Sequence, residues 1–212
     1  MSDRHHHHDD DGHHWHPPSD IDAHVRALES LLVERGMIEH AAVDAVVSTF
    51  ENDLGPMVGA RLVARAWTDP EFHRRFLEDT TAVVRELEMA GAEAQNVIAL
   101  ENTDDVHNVV VCTLCSCYPW ALLGLPPVWY KAPAYRSRVV SEPRAVLTDF
   151  GLELGDDVQV RIWDSSADMR YIVVPQRPAG TEGMSEDELA ALVSRDSMIG
   201  VARASEPSGT TA

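Results

Sequence analysis

Apolar residues recur at helical spacing through most of the first ninety positions of the chain. The apolar face of a first predicted helix runs from Ile21 to Leu32, and Gly36 marks its end. A second helix is predicted from Val43 to Leu54. Thr68-Asp69-Pro70 then has the sequence of an N-cap followed by a first turn, and the helical pattern continues to about Met89.

The pattern changes after Gly91. Residues 96–100 and 107–111 are short β-branched runs that predict strands. Residues 158–163 alternate between apolar and polar positions, and we expect them to form a hairpin with residues 171–174. Residues 185–188, Ser-Glu-Asp-Glu, have the sequence of a capping box and predict a last helix. Helices followed by a mixed region of strands and helices predict the α+β class.

Composition narrows the classes of partner. The chain has 212 residues, 44% of them hydrophobic, and a formal net charge of -18. This charge disfavours nucleic acid and anionic membrane surfaces, which attract clustered Lys and Arg, and it leaves open a protein partner with positive patches. No apolar run approaches the roughly 18 residues of a membrane span, and the first residues lack a signal-peptide core. We expect a cytoplasmic protein.

The first 18 residues are rich in His and Asp and poor in apolar residues. Such a segment cannot bury enough apolar surface to fold, so we expect a disordered, solvated tail. Because His and Asp together also bind divalent metals loosely, metal gathering is the alternative interpretation. We divide the rest of the chain into a helical N-terminal arm at 19–90, an α+β domain at 91–204 and a tail at 205–212.

All three cysteines of the chain lie within six residues, in Cys112-Thr113-Leu114-Cys115-Ser116-Cys117. Thiolate is the soft ligand that selects transition metals, so the C-x-x-C-x-C spacing predicts a metal site on one loop. A structural zinc site would need a fourth ligand, and His107 would point to the opposite face of its strand from Cys112. A redox pair is disfavoured because a third cysteine is present and no βαβ setting surrounds the loop.

The backbone could supply the missing ligands. The amide nitrogens of Ser116 and Cys117 could deprotonate and bind in one plane with the sulfurs of Cys115 and Cys117, with the Cys112 sulfur axial. Such a donor set carries high negative charge and favours a trivalent ion. It also leaves a sixth position for water or substrate, as catalytic metal sites do.

Residues 111–120, Val-Cys-Thr-Leu-Cys-Ser-Cys-Tyr-Pro-Trp, resemble the metal-binding motif of the nitrile hydratase alpha subunit. Segments on both sides of the motif resemble the same family: residues 64–70, 123–127, 129–131, 135–136, 138–140, 142–144, 163–167 and 175–185. The resemblance covers about residues 20–203 and leaves the His-rich tail outside.

The resemblance implies a ligand set. Cys112, Cys115 and Cys117 would be the thiolate ligands, and the amides of Ser116 and Cys117 would complete the plane. Cys115 would be oxidised to a sulfinate and Cys117 to a sulfenate. Thr113 and Tyr118 resemble the cobalt type of the family, so we expect one non-corrin cobalt(III) ion per chain, with iron(III) as the alternative.

The resemblance also implies a fold and an assembly. An extended helical arm would embrace a beta subunit, and a layered α/β/β/α domain would follow, with the cysteine loop at the subunit interface. The expected complex is an alpha/beta heterodimer or an α2β2 heterotetramer, in which two arginines of beta bind the oxidised cysteines. A metal-insertion activator is a further expected partner.

The implied reaction is hydration of small nitriles to amides. Three routes stay open: the metal polarises the nitrile nitrogen, it lowers the pKa of a bound water, or the sulfenate oxygen of Cys117 attacks the nitrile. The residues predicted to carry the reaction are Cys117, Ser116 and Glu93. Further residues predicted to surround the site are Asp164, Asp168, Arg170 and Trp120.

Two other functions compete with this one. The gamma subunit of thiocyanate hydrolase shares the cobalt loop, but Tyr118-Pro119-Trp120 and the match through the C-terminal half favour nitrile hydratase. A non-catalytic cobalt carrier would use the same loop with the His-rich tail. The carrier predicts labile divalent metal and unmodified thiols, whereas the enzyme predicts inert metal and oxidised cysteines.

Overall fold

The computed structural model describes residues 20–48, 55–87, 96–115 and 117–207. Contacts divide the chain into two compact units, Met1–Val46 and Val47–Ala212. The first unit contains α1 (Asp20–Glu34) and most of α2 (His40–Ser48). Gly36 lies just beyond α1 with a φ of 65°, which explains why the helix ends where the sequence predicts. Residues 49–54 of the second predicted helix lie outside the described residues.

Three helices open the second unit: α3 (Pro56–Thr68), α4 (Pro70–Glu78) and α5 (Thr80–Arg85). Asp69 caps α4 as predicted, because its carboxylate accepts bonds from two backbone N–H groups of the first turn. Both α4 and α5 pack against the first strand. The predicted arm boundary at residue 90 falls among undescribed residues and stays a prediction.

Two sheets, each made of two parallel strands, form the centre of the second unit. Strand β1 (Val97–Glu101) pairs with β4 (Arg170–Val174), and β2 (Val106–Val111) pairs with β3 (Gln159–Asp164). Strands β2 and β4 contact each other across the two sheets. Helices and strands thus share one core, as the predicted α+β class requires.

The predicted hairpin of residues 158–163 with 171–174 is wrong. Each segment is a strand, but β3 and β4 pair with earlier strands of the chain. Residues 172–174 of β4 and 107–111 of β2 are buried without interruption, as in parallel sheets that are covered on both faces. Alternation in residues 158–163 shows which face is buried and does not select a pairing partner.

Short helices surround the sheets. They are α6 (Trp120–Leu123), α7 (Val128–Lys131), α8 (Pro133–Ser141), α9 (Pro143–Asp149), α10 (Glu186–Ala190) and α11 (Arg195–Ile199). Helix α10 opens on the predicted capping box of Ser185 and Glu188. No helix in the described ranges is long and apolar enough to cross a lipid bilayer.

His107 joins β2 to the end of α11. The residue is 5% exposed, its Nε2 lies 2.7 Å from the Gly200 carbonyl oxygen, and its Nδ1 lies 3.2 Å from Asn102 Nδ2. A neutral ring with its proton on Nε2 donates to Gly200 and accepts from Asn102. Burial lowers the pKa of His107, and the charge of Arg203 acts in the same direction.

We expect His107 to make folding stability depend on pH in mildly acidic solution. Below pH 6.5, the ordinary value, the unfolded chain takes up a proton that the folded state resists, so stability falls as pH falls. The slope from this residue is at most about 1.4 kcal/mol per pH unit. Urea unfolding of wild type and His107→Gln between pH 8 and 5 measures it. Equal pH slopes for the two proteins would contradict the assignment.

Candidate metal centre

Three sulfur atoms converge at the carboxyl end of β2. The Sγ atoms of Cys112, Cys115 and Cys117 all lie within 4.8 Å of one another. Cys115 Sγ lies 3.3 Å from Cys112 Sγ and 3.1 Å from Cys117 Sγ, and no disulfide joins them. Two sulfurs about 2.3 Å from one ion and at right angles lie about 3.3 Å apart, so three thiolates around one transition metal fit this geometry.

Burial differs among the three cysteine residues. Cys112 is 0% exposed, Cys117 is half-buried and Cys115 is exposed. Burial raises the pKa of Cys117 to about 12, and the hydrogen bond with Cys115 and the charge of Cys112 add to this effect. The free thiol therefore keeps its proton at neutral pH, and a cation is needed to favour the thiolate.

Asp164 fixes the beginning of the loop. It ends β3 opposite Val111, the last residue of β2, so the parallel register places its side chain beside the loop. Its Oδ1 accepts a bond from the Thr113 N–H at 2.9 Å, and its Oδ2 accepts one from Thr113 Oγ1 at 2.5 Å. The predicted residue Asp164 thus contacts the loop through Thr113.

Tyr130 and Arg136 fix the rest of the loop. The hydroxyl of Tyr130 donates to the Cys117 carbonyl oxygen at 3.0 Å, and Arg136 Nη1 donates to the Cys115 carbonyl oxygen at 3.1 Å. Burial raises the pKa of Tyr130, so its hydroxyl stays protonated and remains a donor. Its ring packs edge-to-face with Trp129.

These two contacts were missed in the sequence analysis, which gave neither residue a role. Tyr130 and Arg136 do lie in flanking segments that resemble the family. Their contacts join residues 13 and 21 positions apart, so the sequence alone indicates that both are present without indicating which loop atom each one reaches.

An open pocket of about 420 Å³ lies beside the loop. Its lining consists of Cys115, Cys117, Tyr118, Trp120, Leu125, Pro126 and Arg170. The structure therefore brings the predicted residues Trp120 and Arg170 to one wall with two of the cysteines. Arg170 Nη1 donates to the Ala167 carbonyl oxygen, while its buried Nε finds no acceptor among the described residues.

Other predicted residues lie elsewhere. Asp168 is exposed and is not part of the pocket lining, and its carbonyl oxygen accepts a bond from Asn96 Nδ2 at 3.1 Å. Ser116 and Glu93 lie outside the described residues, so their roles stay predictions. His107, which we did not expect to bind metal, directs both ring nitrogens to Asn102 and Gly200.

Comparison with known proteins defines the family. The family model for the nitrile hydratase alpha chain matches residues 19–202. The alpha subunit of the high-molecular weight cobalt-containing nitrile hydratase of Rhodococcus rhodochrous is 57% identical over 190 residues, which is 89% of this chain and 94% of that protein. The chain belongs to the nitrile hydratase alpha chain family.

Two further relatives show how far the likeness extends. A double mutant of the Fe-type nitrile hydratase of Comamonas testosteroni Ni1 superimposes with a TM-score of 0.82 at 40% identity, covering 88% of this chain and 91% of that chain. The thiocyanate hydrolase gamma subunit of Thiobacillus thioparus is 41% identical over 87% of this chain and 80% of its own length. The cobalt-containing relative is the more similar in sequence.

Proposed function

We propose that this chain is the catalytic alpha subunit of a nitrile hydratase and hydrates nitriles to amides at a cobalt centre. The observation that carries the proposal is the convergence of three sulfurs within 4.8 Å beside an open pocket. The 57% identity to the alpha subunit of a cobalt-containing nitrile hydratase supports cobalt over iron. Neither the identity to thiocyanate hydrolase nor any residue described here favours that alternative.

The proposal extends to cobalt(III) held by oxidised cysteines, with Cys115 as sulfinate and Cys117 as sulfenate. Their exposure supports this assignment, because oxidation of a thiolate requires access to the oxidant. Cys115 is exposed and Cys117 half-buried, whereas Cys112 is 0% exposed. The backbone amides of Ser116 and Cys117 would complete the ligand set.

The side chains around the pocket suit a small neutral substrate. Trp120, Leu125 and Pro126 form an apolar wall that would bind the carbon chain of a nitrile and exclude water from it. Burial raises the pKa of Tyr118, so its phenol keeps its proton at neutral pH. A bound cobalt(III) ion would supply Lewis acidity at the end of the pocket formed by Cys115 and Cys117.

We further propose that a beta subunit covers the mouth of this site. Leu114, Leu125 and Val128 are 90%, 60% and 83% exposed, and so much apolar surface beside a pocket is typical of an interface. The net charge of -18 favours a partner surface that carries positive charge. The proposed complex is a cytoplasmic heterodimer or α2β2 heterotetramer that is loaded by a metal-insertion activator.

The exact mass of the peptide containing Cys112 to Cys117 tests the centre. We would measure it unreduced, after co-expression with the beta subunit in cobalt medium. Two added oxygens on Cys115 and one on Cys117, with inert cobalt, are expected. Three unmodified thiols with exchangeable divalent metal would support a cobalt carrier and contradict the enzyme. Assays on acrylonitrile and on thiocyanate then distinguish nitrile hydration from thiocyanate hydrolysis.

Asp164 offers a test of the loop geometry. Asp164→Ala removes both acceptors for Thr113, and we expect cobalt retention against a chelator to fall about 10- to 100-fold, as when residues that orient metal ligands are replaced. Asp168→Ala is the matched control, because Asp168 is an exposed carboxylate four residues further along, in the connection between β3 and β4. Equal retention in the two variants would exclude a positioning role for Asp164.

A further inference from the structure

Arg136 combines a contact to the metal loop with an unpaired buried donor. It lies on α8, is half-buried, and donates from Nη1 to the Cys115 carbonyl oxygen at 3.1 Å. Its Nε is buried and finds no acceptor among the described residues, and no described carboxylate forms an ion pair with its guanidinium. A half-buried cationic group with one buried donor unpaired and no counter-charge is destabilising unless the surroundings supply negative charge.

Arg138 on the same helix shows the contrast. It is exposed, its Nη1 lies 2.8 Å from Asp149 Oδ2, and its Nε lies 3.8 Å from Glu142 Oε2. The surroundings of α8 therefore contain carboxylates, and they pair with Arg138. Arg136 instead turns to the cysteine loop and lines an open pocket of about 410 Å³ together with Thr113.

With cobalt bound, the cysteine loop would supply the negative counter-charge that no described carboxylate gives to Arg136. On the proposed function, three anionic sulfur ligands and two deprotonated amides surround one trivalent ion, so the donor set carries more negative charge than the ion neutralises. We propose that Arg136 is a positioning residue: its guanidinium holds the Cys115 carbonyl and its positive charge offsets that excess. This inference depends on the proposed function and adds a cation supplied by the alpha chain itself.

Two substitutions separate the charge from the hydrogen bond. Arg136→Gln keeps an N–H donor and removes the charge, whereas Arg136→Lys keeps the charge on a flexible donor. Arg138→Gln, on the same helix, is the matched control. Each variant is co-expressed with the beta subunit in cobalt medium. The readouts are cobalt per alpha chain, the half-time of cobalt loss to a chelator, and the number of oxygens on the Cys112–Cys117 peptide.

We expect Arg136→Gln to lose cobalt about tenfold faster than wild type and to carry fewer oxygens. Arg136→Lys should stay within about threefold of wild type, and Arg138→Gln should match it. Thermal unfolding shows whether each variant is folded. If Arg136→Gln does not fold, Arg136→Met is compared with Arg136→Lys, and because Met lacks both the charge and the donor, this pair tests the two together.

The role proposed for Arg136 would be overturned if Arg136→Gln retained as much cobalt as Arg138→Gln and carried as many oxygens on the Cys112–Cys117 peptide. Equal losses in Arg136→Gln and Arg136→Lys would also overturn it, because charge would then be irrelevant. A wild-type complex that holds inert cobalt and forms no amide from nitriles contradicts the proposed function alone. A wild-type complex without cobalt contradicts both.

Discussion

Replacing Cys112 by serine should abolish cobalt binding and, with it, nitrile hydration. Serine lacks the soft thiolate, so an ion would lose one of the three sulfurs that lie within 4.8 Å of one another. We expect cobalt affinity to fall more than about 100-fold, because removing a ligand costs more than disturbing the groups that orient it. Cobalt content per alpha chain and amide formation from acrylonitrile measure the two losses.

Because Cys112 and Cys115 differ in burial, the two serine variants distinguish loss of metal binding from loss of folding stability. Cys112 is 0% exposed and its Sγ accepts a bond from the Cys115 N–H, so Cys112→Ser places a more polar group in a buried site with only part of its hydrogen bonding satisfied, and we expect a cost of about 1 kcal/mol of stability even without metal. Cys115→Ser is the matched control, because Cys115 is exposed and its hydroxyl would be hydrated. Both variants should lose cobalt, and only Cys112→Ser should lower the thermal midpoint of the metal-free protein. Cobalt retained in Cys112→Ser would contradict the three-sulfur site.

Interactions between residues close in sequence were sufficient to predict where several helices begin or end. Asp69 caps α4, Gly36 ends α1, and Ser185 with Glu188 opens α10, each because one side chain or one backbone angle satisfies neighbouring N–H or C=O groups. These interactions span four residues or fewer, so the sequence contains all of the information that they need.

Strand pairing was not predictable in the same way. Residues 158–163 and 171–174 fit a hairpin by their spacing, yet β3 pairs with β2 and β4 pairs with β1. The choice depends on contacts across more than fifty residues, which bury β2 and β4 on both faces. The consequence for the site is direct, because only the parallel register of β2 and β3 places Asp164 beside Thr113.

The metal site could be predicted only in part, because some of its contacts also depend on residues that are distant in sequence. Three cysteines at C-x-x-C-x-C spacing indicate a metal loop from sequence alone, and their sulfurs do converge. The contacts that hold the loop come from other elements: Tyr130 from α7, Arg136 from α8 and Asp164 from β3. Their positions depend on the folded arrangement of those elements, which no local pattern specifies.

Gly200 should be the least replaceable glycine among those described here. It ends α11 at a φ of 94°, and a Cβ built on it would lie 2.0 Å from the Asn108 carbonyl oxygen. That atom belongs to β2, so Gly200→Ala requires the helix and the strand to move apart. We expect a loss of about 4 kcal/mol or more and a thermal midpoint lower by about 10 °C.

Gly183→Ala separates the steric clash from the cost of the backbone angle. Gly183 has a similar φ of 87°, and nothing lies within 4 Å of its added Cβ, so we expect a loss of only about 1–2 kcal/mol. Because β2 leads directly into Cys112, Gly200→Ala should also weaken cobalt retention, whereas Gly183→Ala should not. Equal destabilisation of the two variants would show that α11 can move away from β2 at little cost, and the close contact would then not position the loop.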